Sequence, residues 1–244
     1  MGRMARPLPM SFVMSAPRHE DLPDVRAEVA VLGRSNVGKS SLINAVAKRK
    51  GLAKVSSTPG RTRLLNAFAV TDDTQIVDCP GYGYAQASKT SRDEWMRMVE
   101  DYLIDREPLV DLLLLVDGAV GPTKIDLGVI AEMREANVPL TIVATKLDKV
   151  KPSIRGKRRR EVATACEVAS DEVLWVSAVK GDGLGDLRQH ITDMLAVNVC
   201  PRPSPADQPS ARMAAQSPTS AQPAVARRSR VSSTAGVTSR VVRR

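Results

Sequence analysis

From Ala27 to Val197 short aliphatic runs alternate with stretches of helical periodicity. Ala27–Leu32 reads as a buried strand and Ser40–Lys48 as a helix. Leu64–Val70 and Gln75–Val77 read as a strand pair. Arg92–Ile104 is amphipathic, with Trp95, Met98, Val99 and Tyr102 at helical spacing. Asp111–Val116 and Leu140–Ala144 read as strands, with the helix Lys124–Ala136 between them. Val173–Val176 is a last strand and Leu184–Val197 a last helix. Strands that alternate with helices predict βαβ units and an α/β fold, a mostly parallel sheet with helices on both faces. The unbroken aliphatic run Leu112–Val116 fits a strand covered on both sides.

The two ends of the chain differ from this middle. Residues 1–25 carry Pro and Met without clear periodicity. From Cys200 onward there are six Pro, eight Ser and no aromatic residue. Such a segment buries too little apolar surface to offset ordering its backbone, and it reads as disordered. The pattern divides the chain into an N-terminal extension (1–25), one domain (26–199) and a tail (200–244).

Charge sharpens that division. The net charge is +9 over 244 residues, but residues 200–244 hold eight Arg against Asp207 alone and so supply +7 of it. Aromatics make up 3% of the chain, so the core must be aliphatic. Three Cys, at 79, 166 and 200, are too few and too scattered for a disulfide framework or a CxxC metal site. A reducing, cytoplasmic setting is expected. No apolar run approaches the roughly 20 residues of a membrane span. The Arg3- and Arg6-bearing start is a poor secretory signal, and Arg6 stands where a myristoylation signal wants Ser or Thr.

Four segments carry candidate chemistry, each after a predicted strand. Gly33-Arg34-Ser35-Asn36-Val37-Gly38-Lys39-Ser40 matches G-x-x-x-x-G-K-[ST]. Its glycines let backbone N–H groups wrap a phosphate, Lys39 brings charge to the β/γ-phosphates, and the Ser40 hydroxyl suits Mg²⁺. Asp78-Cys79-Pro80-Gly81 closes the run Ile76-Val77; a carboxylate there can hold Mg²⁺ through its water shell, and the Gly81 N–H could sense a γ-phosphate. In Thr145-Lys146-Leu147-Asp148 the Asp148 carboxylate can accept from N1–H and the 2-amino group of guanine, which adenine lacks. The Lys146 stem can lie along the base. Val176-Ser177-Ala178 could offer a backbone N–H to the guanine oxygen. The Gly33–Ser40 match is specific in its strand-to-helix context and the other three segments are weak alone, and the order of the four predicts a GTP/GDP site.

Further segments narrow the match. Phe12–Pro17, the run GRSNVGKSSLINA at 33–45, Val55–Arg63 with its S-S-T-P-G-R-T core, and DCPGYGYA at 78–85 together closely resemble the EngB/YihA/YsxC family of bacterial GTPases. The resemblance covers roughly residues 11–197. It implies a single P-loop GTPase domain, a role in large ribosomal subunit assembly through pre-ribosomal rRNA, and a need in normal cell division. It also implies a monomer. Carried over to this sequence, Thr62 looks like the switch threonine that reaches Mg²⁺ beside Ser40. Gly60, Arg61, Thr62, Arg63 and Leu64 would line the nucleotide, and Lys39, Thr62 and Gly81 would carry hydrolysis. Arg63 stands where the family has Gln, Cys79 where it has an aliphatic residue, and the basic tail is not a general family feature.

The chemistry has a gap at Tyr82. Ras-type enzymes place there a Gln that orients the attacking water, which a phenol ring does not replace. Slow hydrolysis follows, on the order of 10⁻⁴–10⁻² s⁻¹. Asn36 resembles the Asn that binds K⁺ in related GTPases, and K⁺ could supply the missing charge. Lys149–Arg160 holds seven basic residues and no acid; beside the base site it reads as an rRNA-facing patch. Trp95, Trp175 and Cys79 read as packing residues, and His190 as neither a metal ligand nor a catalytic base. Two rival readings remain: a nucleotide-gated RNA-binding module with negligible hydrolysis, and a division or septum GTPase with a protein partner.

Overall fold

The computed structural model describes residues 6–53, 64–82 and 89–197, with the side chains of 89–96 excepted. Its elements run β1 (Ser11–Ala16), β2 (Ala27–Gly33), α1 (Lys39–Ala47), β3 (Leu65–Ala69), β4 (Thr74–Asp78), α2 (Lys89–Asp105), β5 (Leu109–Asp117), α3 (Lys124–Glu135), β6 (Leu140–Thr145), α4 (Arg155–Ala165), β7 (Leu174–Trp175) and α5 (Leu184–Ala196). The sheet order is β1-β3-β4-β2-β5-β6-β7. β3 is antiparallel to both β1 and β4; every other pairing is parallel. Each strand and helix expected from the sequence is present, most shifted at their ends by one to three residues.

The apolar run of β5 shows why the fold is a three-layer one. Leu112, Leu114 and Val116 belong to the cluster under α2, α3 and α4, where Tyr102, Leu103, Ile130 and Val162 pack. Leu113 and Leu115 point the other way, to Leu42, Ile43, Leu187 and Ile191 of α1 and α5. Alternation of period two within a wholly apolar strand needs a helix layer on each side. Trp175 and Cys79 are buried in the first cluster, as read from the sequence. The side chain of Trp95 lies outside the described residues.

Two findings were not legible as periodicity. The N-terminal segment adds β1 at the sheet edge. Its residues are mostly exposed, so no alternating pattern marks it. The basic segment forms a short turn and α4, and its charges are partly used within the fold. Arg155 Nε donates to Val150 O, Lys157 and Arg158 pair with Glu161, and Arg159 lies over the Trp175 ring. Glu161 stands one residue beyond the seven-cation run and partly offsets it. His190 Nε2 sits 2.8 Å from Asp111 Oδ2, tying α5 to β5.

Candidate functional site

The four sequence segments meet at the carboxyl ends of the parallel strands. β2 ends at Gly33, β4 at Asp78, β6 at Thr145, and Val176-Ser177 follow β7. This is the edge at which open α/β sheets bind ligands. Gly60, Arg61, Thr62 and Arg63 lie outside the described residues. Leu64, the last of that group, is exposed just before β3.

The loop Gly33–Gly38 leaves β2 and turns into α1. Gly38 holds φ +112, a conformation that favours glycine, and hands over to Lys39 as the first helical residue. Unpaired N–H groups of the α1 start and the helix dipole therefore face the loop. Lys39 Nζ folds back to Gly33 O at 3.3 Å. Burial pulls the Lys39 ammonium below its usual pKa, opposed by the Asp78 carboxylate nearby. The strand after the loop's far wall is stitched on by backbone bonds: Ser35 N donates to Tyr82 O and Cys79 N to Val31 O. Gly81 approaches so closely that a Cβ there would sit 2.7 Å from Lys39 Nζ and 3.1 Å from Gly33 O and Ser35 N. Pro80 is buried beside it.

Asp78 is buried, and its Oδ1 finds no hydrogen-bond partner among the described residues. Burial raises its pKa from 3.8 to about 6, with Lys39 pulling the other way. A buried acid that holds its proton more tightly than the unfolded chain does costs stability as the pH rises through that window. In protein free of nucleotide and divalent ions, Asp78→Asn is therefore expected to be more stable than the parent above pH about 6, by up to about 3 kcal/mol. The difference should shrink as the pH falls from about 6 and vanish below pH about 3, where the carboxyl is neutral in both the folded and the unfolded chain. Urea melts across that range check this; a constant difference would contradict it.

The base-side segments are tied to the phosphate loop. Thr145 Oγ1 donates to Val37 O at 2.8 Å. Lys146 holds φ +57 and its Nζ donates to Asn36 O at 2.9 Å and Asp117 Oδ2 at 2.7 Å. Leu147 is buried and donates its N–H to Val176 O. Asp148 lies in a 3-10 turn, Leu147–Lys149, not at a helix cap. Its Oδ1 accepts from the fully buried Ser177 hydroxyl at 2.6 Å, and the Lys180 N–H donates to that same hydroxyl. Ala178 follows, half-buried. The arrangement presents a half-exposed carboxylate with a fixed rotamer beside a lysine stem.

Asp117 was missed by the sequence reading, which ended its strand one residue earlier. Partial burial works against its ionised form. The Lys146 ammonium and the N–H groups of Ala119 and Val120 more than offset that and hold its pKa low. The signal was available, since the run Leu112–Val116 ends in Asp just as Ile76-Val77 does. Tyr82 also differs from a water-facing residue. It is buried, its hydroxyl donates to Asp126 Oδ1 at 2.7 Å, and burial beside that carboxylate pushes its pKa far up. Asp126 itself closes the capping box of α3 with Thr123.

Comparison with known proteins decides between GTP-binding families. A family model described as 50S ribosome-binding GTPase matches residues 28–146. A probable GTP-binding protein EngB of Thermotoga maritima is 45% identical over 177 residues, spanning 72% of this chain and 90% of the relative. The EngB of Clostridium beijerinckii is 44% identical over 178 residues, with 72% and 90% covered. The chain belongs to the EngB family of GTP-binding proteins. Among solved structures, a probable GTP-binding protein EngB aligns with TM-score 0.58 and 26% identity, covering 69% of this chain and 98% of that one. Era of Aquifex aeolicus, solved bound to GDP and AlF₄⁻, aligns with TM-score 0.54 and 25% identity over 70% and 57%. The fold is thus an α/β P-loop GTPase, and the EngB assignment supports GTP and GDP as its nucleotides. No helix among the described residues is long and apolar enough to cross a membrane.

Proposed function

We propose that this EngB protein is a Mg²⁺-dependent GTP switch with slow hydrolysis. It acts as a cytoplasmic monomer in assembly of the large ribosomal subunit and is needed for normal cell division. The observation that carries the switch is the convergence of Gly33–Ser40, Asp78–Gly81 and Thr145–Asp148 at one sheet edge. The ribosomal part draws on the family model's description as 50S ribosome-binding.

In this reading the N–H groups of Gly33–Ser40 and the Lys39 ammonium hold the phosphates. Ser40 and Thr62 would be the side chains that hold Mg²⁺, and Asp78 would hold it through water. The unpartnered Asp78 Oδ1 fits that duty, because a hydrated divalent ion gives a buried carboxylate the partner it lacks. When bound, the ion neutralises charge on the β- and γ-phosphates. The Gly81 N–H reads the γ-phosphate, and a side chain there would displace the Lys39 ammonium and press on the loop backbone at Gly33 and Ser35. Asp148 reads the guanine edge, while Val176–Ala178 support it. Lys39, Thr62 and Gly81 carry what hydrolysis there is.

The test is co-sedimentation with purified ribosomal subunits, in GDP and in a non-hydrolysable GTP analogue. Binding to the large subunit with the analogue alone is the expected result. Binding in neither state would remove the ribosomal role and favour a division-linked protein partner.

The burial of Tyr82 against Asp126 favours a second reading, a nucleotide-gated RNA-binding module with negligible hydrolysis, because no side chain at that position faces the attacking water. Single-turnover hydrolysis with and without subunits separates the two. K⁺ at Asn36 would supply charge in the first reading. Asn36 is exposed at the loop tip with φ +64. Hydrolysis is expected to run about tenfold faster in K⁺ than in Na⁺, a fraction of an arginine finger's effect. Equal rates would remove K⁺ from the mechanism.

A further inference from the structure

We infer that the cleft between the α1 C-terminus and the α5 N-terminus is an RNA-binding groove that engages a phosphate backbone. The inference deepens the ribosomal reading above and rests on it. The cleft measures about 770 Å³ and is lined by Arg6, Lys48, Arg49, Lys50, Lys180 and Arg188, with no carboxylate among its described lining residues. The cations come from three parts of the chain, around 6, 48–50 and 180–188, which only the fold brings together.

The cations are held in place. Leu8 N donates to Val46 O and Arg49 to Met10 O, which pins the N-terminal segment on the end of α1. Arg188 donates to Ala45 O and Val46 O, which ties α5 to the same end. These bonds go to carbonyl groups, and Arg49 makes no ion pair among the described residues. Arg6, Lys48, Lys50 and Lys180 are exposed and make no ion pair among the described residues. Six cations around one cleft create a potential that a polyanion with regularly spaced charges relieves best.

The surroundings favour RNA over other anions. An acidic peptide would gain affinity from an aromatic anchor in a pocket; here the described lining holds no aromatic side chain, its apolar members being Pro7, Ala45, Ala178, Val179 and Leu184. A flat bilayer does not fill a concave cleft. Phosphate contacts need charge and little else. The walls also continue into the nucleotide site: α1 begins at Lys39-Ser40, and Ala178–Lys180 follow Ser177, the partner of Asp148. A strand in this cleft would lie against both elements that hold GTP.

The test uses the full chain loaded with GDP, with anisotropy of a fluorescein-labelled RNA hairpin read across a salt series. The variant Arg6→Gln/Lys48→Gln/Lys50→Gln removes three cations that touch neither nucleotide segment. RNA affinity should fall by roughly tenfold or more, and the slope of log K against log salt should become shallower by about 0.7–0.9 for each lost phosphate contact. GDP affinity and melting temperature should be unchanged, and Lys48→Arg/Lys50→Arg should keep parental binding. Parental RNA affinity in the triple variant, with the loss appearing instead in Lys149→Gln/Lys151→Gln/Arg160→Gln, would overturn the groove and leave the ribosomal reading standing. Failure of the parent chain to bind both RNA and large subunits would overturn both. Preference of the parent for polyglutamate or for phosphatidylglycerol vesicles over RNA, lost in the triple variant, would overturn RNA as the occupant.

Discussion

Arg106→Met is expected to cost about 3–5 kcal/mol of unfolding free energy, enough to lower the melting temperature by roughly 10 °C in a domain of this size. The cause is Glu28. It sits in β2 with 0% exposure, between a parallel strand on each side. Arg106 Nε lies 3.3 Å from both of its oxygens, and Gln75 Nε2 donates to Oε2 at 2.7 Å. The Arg106 guanidinium also donates to Pro23 O, so one side chain joins β2, the end of α2 and the segment leading into β2. Met would keep much of the stem's packing and delete the charge, leaving a fully buried carboxylate with only the neutral groups of Gln75 and Tyr102 beside it. Adding Glu28→Gln to that variant should recover a large part of the loss, because the amide oxygen still accepts from Gln75 and no buried charge is left over. Urea melts of the parent, the single and the double variant check this. A loss below about 1 kcal/mol in the single variant would mean that water reaches Glu28 and that the pair is a surface-like bridge. Glu28 lies toward the opposite end of β2 from Gly33, so the folded fraction should bind GDP as the parent does.

The contrast between what was legible in this chain and what was not follows from how each feature is encoded. β5 declared itself because burial on both faces demands an unbroken aliphatic run. The phosphate loop declared itself because wrapping an anion with backbone N–H groups demands glycines at fixed spacing. Asp148 could be read from position, but its partner Ser177 lies 29 residues away, and only the fold brings the two within 2.6 Å. β1 was illegible because an exposed edge strand buries too few residues to show alternation. Tyr82 stands where related enzymes place a water-orienting Gln, a role its ring does not fill. The structure turns it inward to Asp126, a contact across 44 residues that no local pattern encodes. The basic segments reversed their standing for the same reason. Lys149–Arg160 is conspicuous in sequence, yet Arg155, Lys157, Arg158 and Arg159 have partners within the fold. The cleft of Arg6, Lys48, Lys50 and Lys180 draws on separated parts of the sequence, and these four make no ion pair among the described residues.

Asp148→Asn should exchange the base preference of the site while leaving its shape alone. The carboxylate has one oxygen fixed by the Ser177 hydroxyl and stands half-buried beside the Lys146 stem. Guanine would present two donors to it, N1–H and the 2-amino group. Two hydrogen bonds to a charged acceptor contribute about 1.5–3 kcal/mol each. An amide in that place keeps one acceptor, still able to take the Ser177 proton, and turns an N–H donor toward the guanine amino group. GDP affinity should therefore fall on the order of 10²–10⁴-fold, the factor those two bonds represent. Xanthine carries a carbonyl where guanine carries the amino group, so the same amide donor finds an acceptor. Xanthosine diphosphate should bind the variant far more tightly than it binds the parent. Adenine nucleotides should gain little, since neither residue at 148 reads their edge well. Titrations of GDP, XDP and ADP against both chains decide the matter. Unchanged GDP affinity would place the base elsewhere and, with it, remove Thr145–Asp148 and Ser177 from the nucleotide site. A loss of GDP binding without a gain for XDP would mean that the carboxylate's charge, and not its pairing with the base edge, is what the site needs.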